Sequence, residues 1–374
     1  MMASFRDIEN MLARANVWIR RVMVGVLIPF VLILVVWDVS GPRPPVSEIS
    51  HVIVISFDGL RADAISRLGP SGVPAFYEVL STGAGTLNAR TDHDFTVTLP
   101  NHTCMLTGRP VLGEGGHGYT SNDDNIVKTL HENKGQYVAG IFDVVHGHAL
   151  RGAFFSSKPK FSLYIKSYGA RGVLRAVDAV SAQEQQLIDF YRISGYNDDA
   201  IVDAFLHTLK KHAPHFTFLH LSGLDATGHD YGWDPAPESV YMNEVRRMDR
   251  RLERVLRFLK EDRTSRGTTV VIVTADHGGY GTHHKDVTDP RDYTIPFLVW
   301  GNHVAQGADL YKLNPGTRKD PEQERVPYGA GLQPVRNGDA PNLALSLLGL
   351  PSIPGSSINV RQDLSVYPLS PAGK

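Results

Sequence analysis

The chain has 374 residues, 42% of them apolar and 21% charged, an ordinary globular composition with length for one large core. Lys plus Arg number 38 against 39 Asp plus Glu, so overall charge gives no reason to expect a nucleic-acid polymer as partner. The one cysteine, Cys104, excludes an internal disulfide framework and a cysteine-rich zinc site. Residues 1–21 read as a short tail containing Arg6, Arg14, Arg20 and Arg21. Val22–Trp37 (VMVGVLIPFVLILVVW) then carries no charge, which predicts a membrane-spanning signal anchor over 22–38, with Pro29 tolerable inside it. A cleaved signal peptide is the alternative; its basic region would be long, and no Ala-x-Ala site follows. The arginines precede the run and only Arg43 follows closely, so the N-terminus is expected in the cytoplasm and the remainder in the periplasm or outside the cell.

Residues 39–49 (VSGPRPPVSEI) read as a Pro/Gly-rich linker, leaving 50–374 as the folded domain. Short apolar runs at His51–Phe57, Gln136–Phe142, Phe216–Leu221, Thr268–Thr274 and Ile295–Trp300 predict buried strands. Between them, Asp199–Lys211 and Glu238–Leu259 repeat apolar residues every three or four positions, as helices do. This alternation predicts an α/β fold, a mainly parallel central sheet with helices on both faces. The stretch at about 145–195 breaks the pattern and is expected to be an insertion.

Polar residues cluster directly after three of these strands. Phe57 is followed by Asp58 and Gly59, Leu221 by Ser222-Gly223-Leu224-Asp225 and then His229, and Thr274 by Ala275-Asp276-His277-Gly278-Gly279 and then His283-His284. In open α/β sheets ligands bind beyond the carboxyl ends of strands, so these tails are expected to converge. Three carboxylates in one crevice repel one another unless cations hold them, and the imidazoles point to zinc rather than magnesium or calcium. Each tail alone has a plainer reading: Asp58 as a helix cap, Asp225 and His229 as a solvated loop, Asp276-His277 as a surface pair. Together, and flanked by glycines, they point to a metal centre. Two ions about 4 Å apart would suit an in-line phosphoryl displacement.

The stretches VISFDGLRAD, TLPNHTCMLTGR, GLDATGHDYG, TADHGGYGTHH and IPFLVWG, with the tail APNLALSLLGLPSIPGSS, resemble the alkaline phosphatase superfamily, and within it the type I phosphodiesterase/nucleotide pyrophosphatase-like branch. The resemblance implies an alkaline-phosphatase-like fold holding two zinc ions per chain. Asp58, Asp276 and His277 match the ligands of one ion; Asp225, His229 and a later histidine match those of the other. His284 is taken as that histidine, with His283 the alternative. Thr98 matches the nucleophile, itself bound to metal, at the start of a helix whose N–H groups and dipole face the phosphate. Its plainer reading is a helix cap. Asn122 matches an asparagine whose amide binds a phosphoryl oxygen, and Asn101 and His102 read as turn and packing residues. The sulfatase pattern Cys-x-Pro-x-Arg is absent.

The implied activity is hydrolysis of a small phosphate ester or diester through a phosphothreonine. The alternatives are a phosphotransferase or phosphomonoesterase of the same superfamily, or a non-catalytic binding protein of the same fold. Finally, Arg151–Arg175 interleaves basic and aromatic residues without an acid. It reads either as a solvated basic face or as a cap beside the metal site, with Lys158 and Lys160 the residues to meet an anionic substrate.

Overall fold

A computed structural model describes residues 49–169 and 186–369. The predicted anchor at 22–38 and nearly all of the linker lie outside the described residues; among those described, no helix is long and apolar enough to cross a membrane. The strands are β1 (His51–Phe57), β2 (Ala84–Arg90), β3 (Gly152–Ser156), β4 (Phe190–Ile193), β5 (Phe216–Leu221), β6 (Thr269–Thr274), β7 (Thr294–Gly301) and β8 (Ala308–Asp309). They form one sheet in the order β4-β3-β5-β1-β6-β7-β2-β8.

Every residue of β1, β5 and β6 is buried. Side chains of a strand alternate between faces, so both faces of the central sheet must be covered, which explains why these strands are apolar without alternation. Val240–Glu261 packs against Ala62–Gly72, Pro74–Thr82, Asp198–His212 and Gly223–Tyr231; Ala340–Leu347 packs against Thr98–Thr107, Ile141–Gly147, β1 and β6.

The sheet is mainly parallel, as expected, but mixed. β4, β3, β5, β1 and β6 are parallel, but β7 runs against both β6 and β2. The chain leaves β6 at the carboxyl edge, builds a loop there, and re-enters the sheet directly; without a crossover back to the other edge the next strand must be antiparallel. Gln136–Phe142 is not a strand. Gly140 N–H donates to Asp143 Oδ2 at 2.8 Å and starts the helix Ile141–Gly147, whose Phe142 packs on Phe154 and Phe216 of the sheet. Apolar character there reflects burial against strands, not membership of one. The stretch at 145–195, expected as an insertion, supplies β3 and β4 to the central sheet.

Candidate metal centre and catalytic cleft

β5, β1 and β6 are adjacent and parallel, so their carboxyl-end tails emerge side by side. Gly59, at φ +76°, lets two of them touch: a Cβ there would lie 3.1 Å from the Asp225 Cα. Trp233 Nε1 and the Tyr241 hydroxyl both donate to the Gly59 carbonyl, at 2.9 and 2.8 Å, and fix the turn. Asp58, Asp225 and Asp276 are brought together in this way, all at most 3% exposed.

Three histidines face them in a uniform manner. His277 Nδ1 lies 2.8 Å from the Gly278 carbonyl, His284 Nδ1 2.6 Å from that of Thr96, and His229 Nδ1 3.0 Å from that of Thr282. A carbonyl only accepts, so each Nδ1 carries a proton and each ring turns its Nε2 inward. His277 Nε2 lies 3.4 Å from Asp58 Oδ1 and 3.2 Å from Asp276 Oδ2. His284 Nε2 lies 3.6 Å, and His229 Nε2 3.3 Å, from Asp225 Oδ1. The His277 and His284 rings stack with centroids 3.5 Å apart.

Those three carboxylate oxygens, Asp58 Oδ1, Asp225 Oδ1 and Asp276 Oδ2, are buried with no hydrogen-bond partner. Burial holds His277 below the ordinary imidazole range and, with His277 beside it, drives His284 down to about 3, so both are neutral acceptors at pH 7. Lone pairs thus confront lone pairs, an arrangement that costs free energy unless a cation lies among them. Two ligand groups satisfy metal-binding proximity: Asp58, Asp276 and His277, and Asp225, His277 and His284. The residues present therefore fit the implied metals, with a mixed nitrogen and oxygen donor set suited to zinc. His229 reaches Asp225 from a more open position, and the Asp225 carboxylate beside it raises its pKa.

The carboxylates are not equivalent. Burial would raise Asp58, but the Lys158 ammonium and the His220 hydrogen bond hold it well below the usual carboxylate range. Asp225 is lowered too: burial and Asp58 push it up, Lys158 and His229 more than offset them. Asp276 goes the other way, raised by burial and by Asp58. Its Oδ1 accepts from Gly59 N–H and His277 N–H, both at 3.0 Å, but no cation reaches its Oδ2.

Thr98 is the first residue of the helix Thr98–Thr107, is 1% exposed, and places Oγ1 3.5 Å from His277 Nε2. The polar residues that follow it hold this helix start in place. Asn101 donates to the Phe95 carbonyl at 2.8 Å and accepts from Asp92 N–H at 2.8 Å, tying down the incoming loop. His102 Nδ1 donates to the Thr98 carbonyl at 2.8 Å, leaving Nε2 to accept from the Ser56 hydroxyl at the same distance. Pro100 sits in the first turn, where its missing N–H is no loss. Asn122 also arrives: its Oδ1 accepts from Leu99 N–H at 2.9 Å. One helix-end donor expected to face phosphate is thus engaged by Asn122.

His283 is exposed and His284 buried, so of the two only His284 joins the cluster. Lys158 and Lys160 both reach the site, but as buried, paired cations rather than a solvated face. Lys158 Nζ donates to Asp58 Oδ2 at 2.7 Å and Asp225 Oδ2 at 2.6 Å; Lys160 Nζ donates to the Asn122 carbonyl at 3.1 Å. His220, which sequence reasoning missed, donates from Nε2 to Asp58 Oδ2 at 2.9 Å while Nδ1 accepts from the Ser156 hydroxyl at 2.9 Å. A lone histidine in the mostly apolar FTFLHL run was the available signal; the sheet sets it in register with Ser56. Above the cluster opens a cleft of about 440 Å³ whose walls include Thr98, Asn122, Lys158, Lys160, His229 and His284.

Comparison with known proteins agrees with this architecture. The GPI ethanolamine phosphate transferase 1 of Mus musculus is 23% identical over 300 residues, 74% of this chain but 30% of that protein, and the Homo sapiens protein is 23% identical over 306 residues with the same coverage. The chain thus spans under a third of the length of these curated relatives. Among solved structures, murine ectonucleotide pyrophosphatase/phosphodiesterase 5 superposes with a TM-score of 0.56 at 17% identity, covering 84% of this chain and 100% of that one. An alkaline phosphatase superfamily protein from Vibrio parahaemolyticus gives 0.52 at 15% identity, covering 81% and 67%. Residues 52–330 match the type I phosphodiesterase/nucleotide pyrophosphatase family, and the chain belongs to that family within the alkaline phosphatase superfamily.

Proposed function

We propose that this chain is a zinc-dependent phosphoric ester enzyme in which Thr98 is the nucleophile, acting on small phosphate esters or diesters. The observation that carries the reading is the inward-facing set of acceptors, three orphaned carboxylate oxygens and the Nε2 atoms of His277 and His284, beside a hydroxyl at a helix start. Asp58, Asp276 and His277, with Thr98, would hold one ion; Asp225, His229 and His284 would hold the other. Zinc bound there supplies Lewis acidity, which lowers the pKa of a hydroxyl and neutralises phosphate charge.

The chain's own residues do the rest. Thr98 gives up its hydroxyl proton to solvent as Oγ1 bonds to phosphorus and the bond to the leaving oxygen breaks, that oxygen taking up a proton; the hydroxyl of a second acceptor then displaces Oγ1 from phosphorus, losing its proton as Thr98 regains one. Asn122 and His102 hold the helix start that carries Thr98, each through a backbone group of its first turn. Asn122 commits its Oδ1 to Leu99, and its amide donors suit a phosphoryl oxygen in the cleft. Lys160 restrains Asn122 and adds positive charge to the wall.

The principal reading takes water as the second acceptor. The names of the curated relatives favour a second one, transfer of the phosphoryl-bearing group to an acceptor hydroxyl. Either is compatible with an N-terminal anchor over 22–38 that leaves the catalytic domain on the far side of the membrane. Turnover of chromogenic phosphate mono- and diesters by the zinc-loaded chain, with products resolved with and without an added alcohol, tests both. Hydrolysis insensitive to acceptor supports the first; a product ester formed in preference to phosphate supports transfer. No turnover of any ester would count against the enzyme reading.

A further inference from the structure

Lys158 occupies an unusual place for a lysine. It is 4% exposed, it follows β3 just as Asp58, Asp225 and Asp276 follow β1, β5 and β6, and it lies among those carboxylates. Its Nζ is bonded to Asp58 Oδ2 and to Asp225 Oδ2, one carboxylate from each proposed metal half-site. The other oxygen of each carboxylate, Oδ1, is unpaired and faces the histidines. Lysine and metal would therefore use opposite oxygens of the same two carboxylates.

We propose that Lys158 is a built-in counter-cation of the metal centre, which stabilises the metal-free protein and lowers its affinity for zinc. Three buried carboxylates meet in the centre, and Lys158 is the cation bonded to two of them. Without it, the empty centre would hold close, unneutralised like charges and be hard to fold. When zinc is bound, the same ammonium withdraws charge from the ligand carboxylates and repels the ions across a short, dry distance, where screening is weak. Replacing the cation by a neutral chain of similar length removes both effects. It also loosens the carboxylates, but a lost orienting contact is a smaller effect than a lost unit charge so near a divalent ion. The inference rests on the proposed metal reading of the site.

The test compares the full wild-type chain with Lys158→Met and Lys158→Arg, titrating zinc against a chromogenic chelator and recording melting curves with and without zinc. The expected result for Lys158→Met is zinc binding tighter by about tenfold or more, the direction set by removal of a nearby like charge. Its metal-free form should melt several degrees below wild type, and zinc should close that gap. Lys158→Arg keeps the charge and should restore wild-type zinc affinity to within a few-fold. If metal-free Lys158→Met does not fold, the zinc-loaded variant is stripped with stepped EDTA; needing more chelator than wild type supports the proposal. Equal or weaker zinc binding in Lys158→Met, or equal or easier stripping, overturns it while leaving the metal reading standing. Wild-type chain that binds no zinc overturns both.

Discussion

Asp276→Asn should make the metal-free protein more stable while disabling the enzyme. Asp276 is fully buried, and its Oδ2 is without a partner beside the lone pair of His277 Nε2, 3.2 Å away. Asparagine keeps the Oδ1 acceptor for Gly59 and His277 N–H, and its amide can donate to that Nε2. Without metal, the buried carboxyl must either retain a proton that the unfolded chain gives up or carry an unpaired charge; the amide needs neither, a difference of about 1–3 kcal/mol at neutral pH. The sign with pH follows from the raised pKa of Asp276. A carboxyl whose folded value lies above its ordinary 3.8 is no burden below that pH, where folded and unfolded states are both protonated. Its cost grows as pH rises, because the unfolded chain then releases a proton that the folded chain retains. Metal-free Asp276→Asn should therefore melt a few degrees above wild type at pH 7.5, with the gap shrinking towards pH 4. In saturating zinc the order should reverse, since a ligand is lost and affinity should drop by at least ~100-fold. Scanning calorimetry in chelator and in zinc, at both pH values, reads all four numbers. A metal-free variant less stable than wild type at pH 7.5 would mean that Asp276 already has its partner and that no cation is wanted there.

Thr98→Ala should cut turnover on the order of 10³-fold or more while leaving the fold intact and zinc content largely so, because Asp58, Asp276 and His277 would still hold that ion, and Thr98→Ser should retain part of the activity; full activity in the alanine variant, by steady-state assay, would place the nucleophile elsewhere. His284→Ala should lower bound zinc and His283→Ala should not, as read by metal analysis, because only His284 is buried against Asp225. Asn122→Asp keeps an acceptor for Leu99 N–H but puts a negative charge beside incoming phosphate; kcat/KM should fall by roughly 10²-fold with the melting curve little changed. An unchanged kcat/KM would show that the amide donors do not face substrate.

The parts of the fold legible in the sequence are those where one force dominates. β1, β5 and β6 are buried on both faces, so their apolar runs are continuous, and the polar tails stand out directly after them. That contrast exposed Asp58, Asp225, Asp276 and His277. β3 was missed because GAFFS is only five residues, and with it went the recognition that Lys158 stands at a fourth strand tail. β2 (AGTLNAR) lacks the β-branched run of a central strand, and the edge strand β4 is only partly buried, so neither announces itself. Gln136–Phe142 misled in the opposite sense, since burial of Ile141 and Phe142 under the sheet gives a strand-like composition to a helix start. The direction of β7 depends on how the site loop between β6 and β7 closes, a long-range matter that composition does not encode.

If the acceptor cluster beneath Thr98 is a two-metal centre required for phosphoester chemistry, metal and turnover must leave and return together. The decisive measurement is metal analysis of the purified active chain alongside its turnover, repeated after chelation and after zinc is restored. The expected result is two divalent ions per chain, with turnover lost when they are removed and regained on adding zinc. Full turnover by chain shown to carry no metal would contradict it.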